Sequence, residues 1–297
     1  MRGNRIDDRS HVHNIGAESV KERYPYPKEI AEHRSVCDNL NLLYNRFSFD
    51  NGENSLFEKL DTGCKEFEKR VVKFKKEGVL SSDSLYLLKI LNANVKKIAE
   101  TFDVKIQITY QPMHRLLIGI GLGSPFSSTS LMTLHHVYGI PYIPGSAIKG
   151  VLRNCWIQEK FEGKEENALK CDVFRKLFGG NEDEETGIQA QAGALVFFDA
   201  FPVSCFRLEF DVQTPHYSTY YQSQKAPTDD QRLIPISIPA ITETKFLITV
   251  TVDSDKCSQE YYNEVEEVLR RALTEYGLGA KTALGYGLGK CTNCQNI

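Results

Sequence analysis

The chain has 297 residues, 41% of them hydrophobic and 25% charged, enough for one large domain or two modest ones with a real core. Its net charge of −3 argues against a polyanion binder that works through overall charge, and no run has the apolar length of a membrane span. Eight scattered cysteines predict reduced thiols, and the polar start MRGNRIDDRS shows no secretory pattern, so the expected location is cytoplasmic.

The first fifty residues are polar and irregular, with Tyr24-Pro25-Tyr26-Pro27 marking extended chain. Leu56, Leu60, Cys64, Phe67, Val71 and Phe74 recur at three- and four-residue steps, which predicts a helix over 55–77 stopped by Gly78. Ser82 or Asp83 caps a second helix, with Leu85, Leu88, Val95, Ile98 and Phe102 on its apolar side. At Val104 the texture changes: Val104 to Ile108 alternates as a strand, and Arg115 to Leu122 is a second strand-like run. A loop of small and hydroxyl residues follows over 123–133. Tyr142-Ile143-Pro144-Gly145-Ser146 then leads into a helix bearing Ile148, Val151, Leu152, Cys155 and Trp156, and a short helix over 167–178 ends at Gly179-Gly180. Strands are expected over 194–198, 206–212 and 245–252, with a long aromatic and polar connection over 213–235. Ser258 caps a last helix that Gly277 ends. This order, closed by a final short strand, is that of an α+β, ferredoxin-like (RRM-like) unit with insertions. The expected division is an extension over 1–103, largely helical after residue 54, a ferredoxin-like domain over 104–290, and a tail over 291–297.

Charge is unevenly spread. No acid occurs between Asp103 and Glu159, between Asp211 and Asp229, or after Glu275, whereas Lys105, Arg115, Lys149, Arg153, His216, Lys225, Lys281 and Lys290 fall in those windows. A polyanion responds to local potential, so acid-free faces suit one; buried strands and loops would give the same windows.

Two segments carry most of the chemistry. In Gly277-Leu278-Gly279-Ala280-Lys281-Thr282-Ala283-Leu284-Gly285-Tyr286-Gly287 four glycines surround one lysine. Exposed N–H groups beside an ammonium form a phosphate cradle, although the spacing is that of neither a nucleotide P-loop nor a dinucleotide fingerprint. A helix cap followed by a tight turn explains the glycines equally well. In IPGSAIKGVLR, Gly145 and Ser146 open a helix whose free N–H groups favour an anion, and Ser146, Lys149 and Arg153 share one face. The same row also reads as an ordinary solvated helix face.

Taken together, IPGSAIKGVLR and GLGAKTALGYG resemble the RAMP superfamily of CRISPR-associated proteins over about Arg115 to Lys290. The Thr214-Pro215-His216-Tyr217 element and Asn41-Leu42-Leu43-Tyr44-Asn45-Arg46-Phe47 point within it to the family of sixth subunits of Cmr (type III-B) complexes. The resemblance implies a non-catalytic, guide-RNA-binding subunit near the 3′ end of the crRNA, with crRNA, target RNA and other Cmr subunits as partners. It implies no cofactor, metal, membrane or small-molecule substrate. By the same resemblance Gly145, Ser146, Lys149, Arg153, Gly277, Gly279, Lys281, Thr282, Gly285, Tyr286 and Gly287 face RNA, and 213–235 is a thumb-like insertion carrying His216 and Tyr217. Tyr217, Tyr220 and Tyr221 suit stacking on bases or packing on a neighbouring subunit.

RAMP subunits that cut target RNA carry an aspartate in the loop after the first strand, whereas 123–133 here has only Gly, Ser, Thr and apolar residues. The rival reading is a metal-independent endoribonuclease using His135, His136 or His216 as a general base. Cys291-x-x-Cys294 supplies half a zinc site, which His11 and His13 could complete; a tail with two thiols is the simpler reading.

Overall fold

The computed structural model describes residues 39–41, 82–120, 132–182, 189–214, 236–258 and 260–293. The helix expected over 55–77, His11, His13, His216, Tyr217, Tyr220, Tyr221 and Cys294 lie outside these residues. In chain order the elements are α1 (Ser82–Ala99), β1 (Val104–Pro112), α2 (Gly145–Phe161), α3 (Glu165–Lys170), α4 (Asp172–Phe178), β2 (Leu195–Phe197), β3 (Arg207–Gln213), β4 (Ile236–Thr242), β5 (Phe246–Val252), α5 (Glu260–Arg271) and β6 (Gly289–Asn293). None of the described helices is long and apolar enough to cross a membrane.

Four strands form one antiparallel sheet in the order β2-β5-β1-β6, and β3 pairs with β4 in a separate antiparallel hairpin. The period-2 pattern of β1 sends Ile106, Ile108 and Tyr110 to one face, opposite Val250, Ile248 and Phe246 of β5, and all six are in the main core. Helix α2 contributes Ile148, Leu152, Cys155 and Trp156 to the same core, and α5 contributes Val265, Val268 and Leu269. The other face of the central strands is polar yet buried: Thr109, Thr249 and Thr251 are all buried, and Gln107 donates to Thr249 at 3.5 Å. Every residue of β5 is buried, so the sheet is covered on both sides along that strand.

Several expectations need correction. Arg115 to Leu122 forms no regular strand where it is described: Leu116, Leu117 and Ile118 are buried, Leu117 packs against Ile238 and Ala240 of β4, and the backbone pairing with β4 is an isolated bridge from Leu116 to Ile241. Strand β4 itself goes unsuggested by the sequence, because Pro239 lacks an amide donor and demotes the run; the two-stranded hairpin tolerates it opposite Phe210. The helix over 167–178 is two helices broken at Cys171. Ile98, expected on the apolar side of α1, is exposed. Strand β6 runs through Cys291, Thr292 and Asn293, three residues into the expected tail, and pairs them with Tyr110, Thr109 and Ile108.

Candidate nucleic-acid interface

The strand register fixes where the two motifs sit. Pro112 pairs with Gly289, Tyr110 with Phe246, and Pro202 bridges to Phe246, so these positions mark one end of the sheet. The glycine-rich segment leads into β6 at that end, and α2 begins beside the exit of β2, with the Gly145 N–H donating to Asp199 at 2.8 Å. Both motifs thus lie toward the same end but at opposite edges, about 14 Å apart at the usual spacing of neighbouring strands.

The glycine loop is anchored along one side. Leu278 donates to the Gly287 carbonyl at 2.9 Å, Ala280 to Leu117 at 2.8 Å, and Gly287 to Arg115 at 2.9 Å. The Tyr110 hydroxyl adds a 2.6 Å bond to the Gly287 carbonyl. A Cβ on Gly279 would lie 2.1 Å from the Leu117 carbonyl oxygen, so its glycine identity answers to close backbone packing as well as to its φ of +85°. Gly285 has a similar φ of +89° but open space around it. Between them Lys281 takes a left-handed conformation (φ 60°) and Thr282–Leu284 form a single 3-10 turn. Among the described residues the N–H groups of Lys281, Thr282 and Ala283 donate to no backbone carbonyl. This side of the loop can receive an anion.

The loop also docks on the β3–β4 hairpin. The Tyr286 hydroxyl donates to Asp211, and Lys281 to the side chain of Gln213. Arg115 lies 3.3 Å from Asp211 and 3.4 Å from Glu209. The bond from Tyr286, with the Val212 N–H and the charges of Arg115 and Lys281, holds the Asp211 carboxyl below the usual range; the same bond raises the Tyr286 phenol. Gln213 pairs with Ile236, so the expected thumb, of which 215–235 lies outside the described residues, leaves and returns beside Lys281. A cleft of about 630 Å3 opens between the loop, the end of β1 and the hairpin.

At α2 the geometry divides the expected row. Gly145 packs so closely on β2 that a Cβ would lie 2.5 Å from the Phe197 carbonyl oxygen, and its N–H already serves Asp199. Ser146 is exposed and Lys149 half-buried. Arg153 is engaged: its guanidinium pairs with Glu165 at 2.6 Å and lies over the Phe174 ring at 5.2 Å. Asp199 reaches Gly145, Asp211 reaches Tyr286, and Glu209 reaches Arg115, so windows free of acid in the sequence are not faces free of acid in the fold.

His135 stacks between His136 (5.0 Å) and Tyr138 (4.4 Å), and its Nδ1 faces the backbone N–H groups of Val137 and Tyr138 at 3.3 and 3.4 Å. Burial, then the neighbouring His136, lowers its pKa against the opposing pull of Asp199. This is the environment of a neutral packing histidine whose acceptor nitrogen is already occupied.

Sequence reasoning missed Tyr110, Glu209, Asp211 and Gln213, and gave Arg115 only as a cation in an acid-free window. Their only signal is long-range: Tyr110 meets Gly287 across 177 positions and Asp211 meets Tyr286 across 75.

Comparison with known proteins adds to this geometry. Residues 111–290 match the family model of the RAMP superfamily. The CRISPR system Cmr subunit Cmr6 of Pyrococcus furiosus is 31% identical over a match covering 60% of this chain and 65% of that protein. The Cmr6 subunit of Saccharolobus solfataricus is 28% identical, over 69% of this chain and 64% of its own length. The chain therefore spans just under two thirds of the curated relatives it matches. A chain in the cryo-EM structure of the type III-B Cmr-beta complex bound to cognate target RNA shares the fold, with a TM-score of 0.54 at 19% identity over 90% of this chain and 88% of that one.

Proposed function

Because the chain belongs to the RAMP superfamily, we propose that it is a non-catalytic subunit of a type III-B (Cmr) CRISPR effector complex, gripping crRNA near its 3′ end in RNA-guided antiviral defence. The observation that carries this reading is the glycine loop. One side is pinned to Leu117, Arg115 and Tyr110, while the other offers the N–H groups of Lys281, Thr282 and Ala283 beside an ammonium. Such a cradle takes phosphate oxygens and is indifferent to base identity, which suits a guide whose sequence varies. Ser146 and Lys149 extend the phosphate track at the other edge of the sheet. The Cmr6 relatives support the choice of complex, with target RNA and other Cmr subunits as further partners.

We read the β2-β5-β1-β6 sheet, with α2 and α5 in its crossovers, as ferredoxin-like. In this reading 104–290 is the RNA-gripping domain, 1–103 an extension packed on it through α1, and 213–235 a thumb that carries His216 and Tyr217 toward the guide–target duplex.

The test is ultraviolet crosslinking with mass spectrometry on the full chain purified from its native host with its bound RNA. Crosslinks within 146–149 and 277–287 on intact RNA are expected. A chain that carries no RNA, or crosslinks confined to other surfaces, would defeat the proposal. RNA trimmed in a manner that depends on His135, His136 or His216 would favour an endoribonuclease.

A further inference from the structure

We propose that the cleft between the glycine loop and the β3–β4 hairpin is a pocket for one unpaired nucleobase bearing an exocyclic amino group, a reading that rests on the RNA-binding role above. Its volume, about 630 Å3, is in the range of small-ligand sites and is ample for a base and its ribose. Met113 and Leu284 line it, and the fold leaves them 46% and 75% exposed. Large apolar side chains in such a position suit the flat face of a base.

The residues that line the cleft have unused polar capacity. Thr242 is only 9% exposed, yet its hydroxyl has no hydrogen-bond partner. The Arg115 Nε–H is also without a hydrogen bond, although Glu209 lies 3.4 Å away. Glu243 meets Arg207 through one carboxylate oxygen at 2.7 Å, which leaves the other for a ligand. Its backbone sits at φ 53°, a left-handed conformation unfavourable for a residue with a Cβ and of the kind that collects at functional sites.

This combination selects among ligands. Glu209 and Glu243 repel a phosphate, so the cleft is not a second backbone cradle. A cationic peptide side chain would suit the carboxylates but would face the Arg115 guanidinium and leave its Nε–H without an acceptor. A base with an amino group satisfies both sets: the amine donates to a carboxylate, and ring nitrogen or carbonyl acceptors take the Arg115 and Thr242 donors. Cytosine fits this pattern. Uracil fits it less well, because it carries a carbonyl oxygen in place of that amine and has only its N3–H to offer the carboxylate.

The experiment compares the full chain binding dodecacytidylate and dodecauridylate, which carry equal backbone charge, by fluorescence anisotropy at several salt concentrations. Tighter binding of the cytidine oligomer, by about fivefold, is expected. That ratio should collapse toward one both in Glu243→Ala, which removes the acceptor, and in Met113→Trp, which fills the cleft. Because any general change in charge affects both oligomers alike, the ratio isolates the pocket. Equal affinity for the two, with both falling as salt rises, overturns the pocket and leaves the phosphate-binding reading standing. A cytidine preference that survives both substitutions also overturns it, and failure of both oligomers to bind overturns both readings.

Discussion

The phenol of Tyr110, buried within β1, donates a 2.6 Å hydrogen bond to the carbonyl of Gly287, so the sheet core and the glycine loop share one contact. Burial raises the ionisation of that phenol far above the ordinary tyrosine range, which keeps the donor in place at any working pH. In Tyr110→Phe the ring still packs, and the carbonyl keeps its second partner, the Leu278 N–H. The expected cost is that of one net hydrogen bond, about 1 kcal/mol, read as a lower urea midpoint at unchanged slope, together with weaker RNA binding.

Gly279→Ala and Gly285→Ala should differ sharply although both residues have positive φ. An alanine at 279 must displace the Leu117 backbone, whereas one at 285 meets nothing. The first is expected to lower stability by roughly 2–4 kcal/mol, the second by about 1 kcal/mol from left-handed backbone strain alone. Thermal unfolding of the two variants decides this, and similar losses would mean that the loop is not docked on Leu117.

Lys149→Ala and Lys281→Ala are each expected to weaken RNA binding irrespective of sequence and to reduce the slope of log affinity against log salt by about 1. Arg153→Ala should change that slope less, because its charge is already spent on Glu165 and Phe174. Titrations at four or five salt concentrations separate the three.

Asp211 predicts acid sensitivity at the loop. Its folded pKa is depressed, so its contribution is complete above the unfolded value, about 3.9, and is lost as pH falls through the folded one. The expected outcome is a flatter acid limb of the stability curve in Asp211→Asn than in the parent chain, with the two differing most at neutral pH. Parallel curves below pH 5 would show that Asp211 is not linked to folding.

Thiol chemistry tests where Cys291 lies. Burial pushes the Cys155 thiol up to about 12, with the Glu159 carboxylate adding to it, and burial pushes Cys291 up to about 11. At pH 8 iodoacetamide should modify exposed Cys205 rapidly and leave both of these intact until denaturant is added. Rapid labelling of Cys291 would return it to a loose tail.

Elements with an unbroken local pattern were legible in the sequence. The 3.6-residue spacing of Ile148, Leu152 and Cys155 marks α2, and the alternation from Val104 to Ile108 marks β1. The family resemblance was legible too, because IPGSAIKGVLR and GLGAKTALGYG are contiguous strings. What stayed hidden depends on partners distant in sequence. Pro239 obscured β4, which only its pairing with β3 makes a strand. The apolar run Leu116 to Ile118 resembled a strand, but Leu116 and Ile118 enter the main core while Leu117 packs against β4 and the glycine loop. Acid-free windows could not reveal that Asp199 and Asp211 fold back onto them.

The pairing of β1 with β6 has a consequence for synthesis. Strand β1 is the first of the described strands to be made, yet its edge partner β6 follows all the others, and long-range pairing of this kind is slow to close. A nascent chain that has not emerged past Asn293 has β1 joined only to β5, and its glycine loop lacks the strand that holds Gly287 over Tyr110. Translation itself thus delays the docking of the glycine loop until the rest of the domain can fold around it.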